Sequence, residues 1–118
     1  MDFTEKLLHN RKILRIDISD ISNAGPFFQR KTKRMKGCQV DLLIQTKHST
    51  LYVCEIKFSS SEVKSSVIEE MEKKIERMSI PKGTSIRPVL IHVNGVSQAV
   101  MESEVFNDIV DFSQFLDI

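Results

Sequence analysis

Two short apolar runs rich in β-branched residues constrain this chain most. They are Gly37-Cys38-Gln39-Val40-Asp41-Leu42-Leu43-Ile44 and Tyr52-Val53-Cys54-Glu55-Ile56-Lys57-Phe58, joined through the polar connector Thr46-Lys47-His48-Ser49-Thr50. Runs of this length around a hydrophilic connector of hairpin size read as two antiparallel strands. With the turn centred on His48, residues equidistant from it face one another. Asp41 then stands opposite Glu55 and Gln39 opposite Lys57, and strand alternation turns all four to one face.

Two carboxylates side by side repel unless a cation lies between them, and a hard, oxygen-loving divalent ion fills that role. Lys57 adds a fixed positive charge suited to phosphate, so the face reads as a site for phosphodiester chemistry. The competing reading is a solvated strand face whose charges alternate with apolar residues. Against it, Val40, Leu42, Val53 and Ile56 flank the polar set closely, and charges embedded in apolar runs need a compensating partner.

These residues carry a resemblance. An Asp followed on the next strand by Glu-Ile-Lys resembles the PD-(D/E)XK, or restriction-endonuclease-like, nuclease superfamily. It is most similar to the carboxy-terminal nuclease-like domain of bacterial and archaeal AAA-type ATPases, in which a Gly-x-Gln-(Ile/Val)-Asp-Leu-Leu-Ile strand precedes a Cys-Glu-Ile-Lys-(Phe/Tyr)-Ser strand. The likeness covers residues 37–118 well and the first 36 poorly. It implies that Asp41, Glu55 and the Ile56 backbone carbonyl bind Mg2+ (or Mn2+) and that Lys57 positions or activates the attacking water. In the superfamily an acid on the first helix often completes the metal shell; Glu5 is the candidate here, beside the plainer reading of a glutamate near a helix start.

The 118 residues, 41% of them hydrophobic, are enough for one compact domain spanning 1–118 with a modest core. No apolar run approaches membrane-spanning length and the first residues lack a secretory layout, so the expected location is cytoplasmic. Cys38 and Cys54 are expected on the face opposite the acids, opposite Phe58 and Leu42, as buried reduced thiols. The net charge of +1 is uninformative, but its distribution is not: residues 1–58 hold 11 Lys and Arg against 6 Asp and Glu, and residues 59–118 hold 6 against 10. Arg30, Lys31, Lys33, Arg34 and Lys36 cluster just before the Asp41 strand, placed to guide a phosphate backbone toward the acids, with a solvated loop as the alternative. Phe27 and Phe28 offer surfaces for base stacking, but adjacent phenylalanines more often anchor a strand in the core, and that reading is preferred.

Elsewhere, residues 3–15 read as an amphipathic helix with Phe3, Leu7, Leu8 and Leu14 on its apolar side. Residues 16–22 alternate as a short strand or extended loop closed by Asn23-Ala24-Gly25-Pro26, and the first strand of the main sheet is expected at 27–32. Ser59 and Glu62 have capping-box spacing, opening a helix to about Met78 with Val63, Val67, Met71, Ile75 and Met78 buried and the Glu69/Lys73 and Glu70/Lys74 pairs on its solvated side. A strand comes next at 87–93, then a short helix within 96–104 and an edge strand at 109–112. Strand, long helix, strand implies a parallel crossover. His92 is expected to be packed or hydrogen-bonded rather than catalytic.

The expected architecture is an α/β, restriction-endonuclease-like core with a mixed, mostly antiparallel sheet of four or five strands flanked by helices. The expected activity is metal-dependent hydrolysis of DNA phosphodiester bonds, with Gln39 orienting Lys57 or touching phosphate. The alternative is a nuclease-shaped module of little or no activity that binds nucleic acid or a protein such as an AAA-type ATPase. RNA as substrate and a homodimer stay open.

Overall fold

The computed structural model describes residues 3–9 and 14–115. Helix α1 (Phe3–His9) leads through a 3-10 turn (Ile18–Asp20) into β1 (Ile21–Gln29), β2 (Cys38–Thr46) and β3 (Thr50–Lys57). Helix α2 (Ser66–Arg77), β4 (Ser85–His92), α3 (Gln98–Glu102), β5 (Asp108–Asp111) and a 3-10 turn (Phe112–Phe115) complete the described chain. The five strands form one sheet in sequence order. β1/β2 and β2/β3 are antiparallel, while β3/β4 and β4/β5 are parallel, so the mixed sheet divides evenly between the two pairings.

The hairpin register is set by the turn. Leu42 faces Cys54, Leu43 faces Val53, Ile44 faces Tyr52 and Gln45 faces Leu51, the pairing that a turn centred on His48 requires. Thr46 closes this turn, its hydroxyl accepting from the Thr50 N–H and donating to the Thr50 carbonyl. The crossover from β3 through α2 to β4 is parallel, as expected.

Apolar side chains on the two sheet faces build two cores. Leu42, Ile44, Cys54, Val89 and Ile91 lie beneath Leu7 of α1 and Phe112. Val40, Val53 and Leu90 pack against Val67 and Met71 of α2 and Val100 of α3. Strict alternation puts Val40 with Leu42 and Ile44, yet it packs on the opposite face with Leu43. The cause is a bulge: from Gly25 to Phe27, β1 advances two residues while β2 advances three, from Leu43 to Val40. Pro26 lies at the break and has no N–H to give the ladder, and an extra residue on one strand flips the facing of the residues beyond it.

This bulge corrects the sequence reading of the first strand. By that reading Asn23-Ala24-Gly25-Pro26 ends an extended segment and the sheet begins at Phe27. Instead β1 runs straight through the four residues, because an edge strand tolerates proline. The expected helix start also shifts. Val63 forms an isolated bridge with Val96, so residues 59–62 do not open a helix, and α2 begins at Ser66. Val63, Val67, Met71 and Met78 are nevertheless buried as expected. Cys38 pairs with Gln29 rather than Phe58 and lies in the second core, on the opposite sheet face from Cys54. Both thiols are free, and burial pushes that of Cys54 up to about 12. The first helix is described only to His9; of the longer helix expected there, Leu14 is described and buried, whereas residues 10–13 lie outside the described residues.

Gln29, buried at the end of β1, joins three segments. Its Nε2 donates to the carbonyls of Lys36 (2.8 Å) and Arg77 (2.6 Å), and its Oε1 accepts from the Ser79 N–H at 2.9 Å. The basic turn at residues 30–37 is thereby fixed to the C-terminal end of α2. Gly37 closes the turn where a Cβ would come within 3.2 Å of the Gln29 carbonyl oxygen. Thr32 orders its tip, the hydroxyl accepting from the N–H groups of Arg34 and Met35. Removing a buried amide that satisfies three backbone groups strands them without partners. Gln29→Ala is expected to destabilise the fold by about 2 kcal/mol in urea denaturation, more than Ala at the exposed Gln45.

Candidate active site

Glu55 is the least expected side chain in the sheet. It projects from β3, toward α2, and only 4% of its surface is exposed. A buried carboxylate needs cations or hydrogen bonds in place of water. Both are present: Lys74 of α2 donates a close hydrogen bond to Oε2, and Lys57 Nζ lies 3.4 Å from Oε1. Lys57 is shared, standing 3.1 Å from Glu70 Oε2. The result is a chain of alternating charge, Lys74, Glu55, Lys57 and Glu70, that ties the centre of the sheet to α2.

Burial alone would lower the Lys57 pKa. The Glu70 hydrogen bond, the charges of Glu55 and Glu70 and the Glu55 contact outweigh it, so the ammonium titrates above its ordinary value. Near neutral pH Lys57 is therefore a fixed positive charge.

Asp41 occupies the bulge. The β2/β3 ladder ends at Leu42 and Cys54, one step before Asp41 and Glu55 would face each other. Beyond that point the Ile56 N–H donates to Asp41 Oδ2 at 2.9 Å. A side-chain oxygen thus takes a donor that an unbroken ladder would give to backbone. In an antiparallel pair a residue turns both its N–H and its C=O to the same neighbour, so the Ile56 carbonyl faces this opening as well. The expected Gln39/Lys57 pairing is absent from the ladder for the same reason, and the common facing of all four residues is lost at the bulge.

Asp41 lies where two surface grooves meet. One, of about 610 Å³, is lined by Pro26, Phe28, Gln39 and Ile56 among others. The second, of about 570 Å³, brings Gln39 and Lys31 together with Glu70, Lys74 and Arg77. Of the basic residues read from the sequence, Lys31 lines a groove with Asp41, Arg34 and Lys36 line a recess with Arg77, and Arg30 and Lys33 are exposed on the same turn. Glu5 is exposed on α1, the helix over the sheet face opposite α2. No group of three or more His, Cys, Asp or Glu side chains close enough to hold a metal occurs among the described residues. His92 is buried, its Nδ1 accepting from the Gly95 N–H, as its isolation in the sequence implied.

Sequence reasoning missed Glu70, Lys74 and Arg77. It pairs Glu70 with Lys74 on the solvated side of α2; Glu70 is exposed there but meets Lys57, half-buried Lys74 turns to Glu55, and only Glu69 and Lys73 form the expected pair, at 3.1 Å. The signal was available: positions 67, 70, 71, 74 and 78 form one helical stripe, so Glu70 and Lys74 border the buried face of Val67, Met71 and Met78 and can reach the sheet.

Neither a family model nor any curated protein matches the sequence. The fold does have a counterpart: a repair endonuclease from Pyrococcus abyssi superposes with a TM-score of 0.57 over 92% of this chain, at 14% sequence identity. The chain shares its fold with the matched part of that endonuclease. The match spans 44% of the endonuclease, so this fold corresponds to less than half of that protein's length. Among the described residues no helix is long and apolar enough to cross a membrane.

Breaking a buried ion pair by removing one partner typically costs roughly 3–5 kcal/mol. Because Lys57 remains beside Glu55, Lys74→Ala is expected to cost less, about 2 kcal/mol, whereas Lys74→Arg retains most of the stability. A Glu55/Lys74 double-mutant cycle by chemical denaturation reads the coupling, and additive losses would mean that the contact contributes nothing.

Proposed function

We propose that this protein is a metal-dependent nuclease that hydrolyses DNA phosphodiester bonds. The observation that carries the reading is the bond from the Ile56 N–H to Asp41 where the β2/β3 ladder opens, with the paired Glu55 and Lys57 on either side of Ile56 in β3. Two carboxylates and a carbonyl form an all-oxygen donor set, which fits Mg2+ or Mn2+, ions commonly held by one or two carboxylates with water and substrate phosphate completing the shell. Asp41, Glu55 and the Ile56 carbonyl would hold the ion, with Glu5 as a further candidate ligand. Once bound, the ion lowers the pKa of a water and offsets charge on the phosphate.

The remaining roles belong to the chain. The Ile56 N–H holds one Asp41 oxygen, leaving the other directed by a fixed carboxylate. Lys57, kept charged and oriented by Glu70, stabilises negative charge developing on the phosphate or positions the attacking water. Gln39 touches phosphate from the groove it shares with Asp41. Arg30, Lys31, Lys33, Arg34 and Lys36 contribute affinity for the backbone without reading sequence.

A second reading is a nuclease-shaped module with little activity that engages nucleic acid or a protein such as an AAA-type ATPase. It is favoured by one observation: both Glu55 oxygens already have ammonium partners, Lys57 and Lys74. In that reading the lysines stand permanently in place of a metal.

Magnesium and manganese titrations with labelled DNA and RNA substrates decide between them. The nuclease reading expects metal-dependent cleavage of DNA, abolished by Asp41→Ala and slowed roughly 10²–10³-fold by Lys57→Ala, the usual cost of removing one electrostatic stabiliser. Absence of cleavage with every metal, or cleavage indifferent to Asp41→Ala, would reject it.

A further inference from the structure

Six of the seven phenylalanines are accounted for by packing. Phe3, Phe58, Phe112 and Phe115 form one ring cluster, Phe106 is buried, and Phe27 packs into the second core. Phe28 is 65% exposed. The preference for the core, correct for Phe27, fails for its neighbour, because successive strand residues point to opposite sides.

The surroundings of Phe28 are polar. It pairs with Gln39 across the β1/β2 ladder and lines both grooves that meet at Asp41. Lys31 and Arg77 line the second groove with it, and neither is paired with a carboxylate among the described residues. A lone ring rimmed by amide, carboxylate and cations is not the contiguous apolar patch that a protein partner covers. It offers instead a flat apolar surface beside cations suited to phosphate, the combination that holds single-stranded nucleic acid.

We propose that Phe28 is a stacking platform for an unpaired base, and that the preferred substrate is DNA with unpaired nucleotides, its phosphates lying along Lys31 and Arg77 and its backbone entering at Asp41. This rests on the nuclease reading and narrows its substrate. In an intact duplex each base face is covered by its neighbours, so a protein ring has access only to base edges and backbone. A single strand, flap or frayed end exposes a face. Gln39, opposite Phe28, is placed to hydrogen-bond the edge of the stacked base.

The test is equilibrium binding to the full chain in metal-free buffer with EDTA, so that no cleavage intervenes. The probes are a labelled oligothymidine, the same oligonucleotide with a central abasic block, and a duplex of equal length. Phe28→Ala is expected to weaken oligothymidine binding roughly 5- to 100-fold, the range for one base stacked on an aromatic ring. Binding of the abasic strand and the duplex changes less than twofold, and Phe28→Trp retains wild-type affinity. The abasic block should cost the wild type what it no longer costs Phe28→Ala, a dependence on the base that a merely structural role for Phe28 would not produce. Equal losses on all three probes, or no loss on oligothymidine, would overturn the inference. If metal-dependent cleavage still required Asp41, only the stacking role would fall. Wild-type protein that bound none of the probes would overturn both readings.

Discussion

A buried negative charge organises the sheet and the helix that covers it. Glu55 sits in β3, the middle strand of the sheet, among residues whose burial leaves almost no water to solvate it. Its two ammonium partners come from different places: Lys57 from its own strand and Lys74 from α2. The helix is therefore held to the sheet by apolar packing through Val67 and Met71 and also by a charge contact of defined direction. Apolar packing alone would permit rotation of a short helix about its axis, since neighbouring hydrophobic residues can substitute for one another at modest cost. A carboxylate that must meet Lys74 permits much less, and Glu70 fixes the far side of Lys57 in the same way.

A second constraint acts on Asp41. Antiparallel pairing continued to the end of β2 would consume the Ile56 backbone groups and leave Asp41 an ordinary strand residue. The bulge opposite Pro26 turns Val40 into the second core and frees Asp41 to take the Ile56 N–H. Edge placement of β1 is what allows this, because a proline in an interior strand would leave a neighbouring strand's carbonyl without its ladder donor. Local irregularity in an outer pair of strands thus sets Asp41 against the regular interior strand that carries Glu55 and Lys57.

Much of this was legible in the residues. The hairpin register came from connector length and apolar alternation, and the parallel crossover from the order of elements. That register brings Asp41 to β3, where it meets the Ile56 N–H, although the expected Asp41/Glu55 pairing is not made. Two kinds of feature were hidden. The β2 bulge depends on a proline in another strand, so no pattern within residues 37–46 announces it, and Pro26 itself reads as a terminator until β1 is known to be an edge. The roles of Glu70 and Lys74 were obscured differently. Their i, i+4 spacing to each other describes an exposed helix pair as well as it describes two residues on a buried stripe, and only the unmet charge of Glu55 separates the two. A buried acid on one element predicts a cation on whatever covers it; that rule would have found Lys74 from the sequence.

The same lysine bears on how the fold accommodates Asp41 and Glu55 on neighbouring strands. Two carboxylates brought face to face on neighbouring strands repel, and a fold must either protonate one, separate them or supply cations. This fold does the last two: the bulge turns Asp41 aside to a backbone donor, and Lys57 and Lys74 neutralise Glu55. Under the nuclease proposal a divalent ion would compete with Lys74 for Glu55 rather than enter an uncompensated negative site, so binding would exchange one cation for another and gain less than at a bare acid pair. Lys57 differs from Lys74 in this respect. Glu70 holds it from the other side, so it keeps an anionic partner when its contact with Glu55 is weakened.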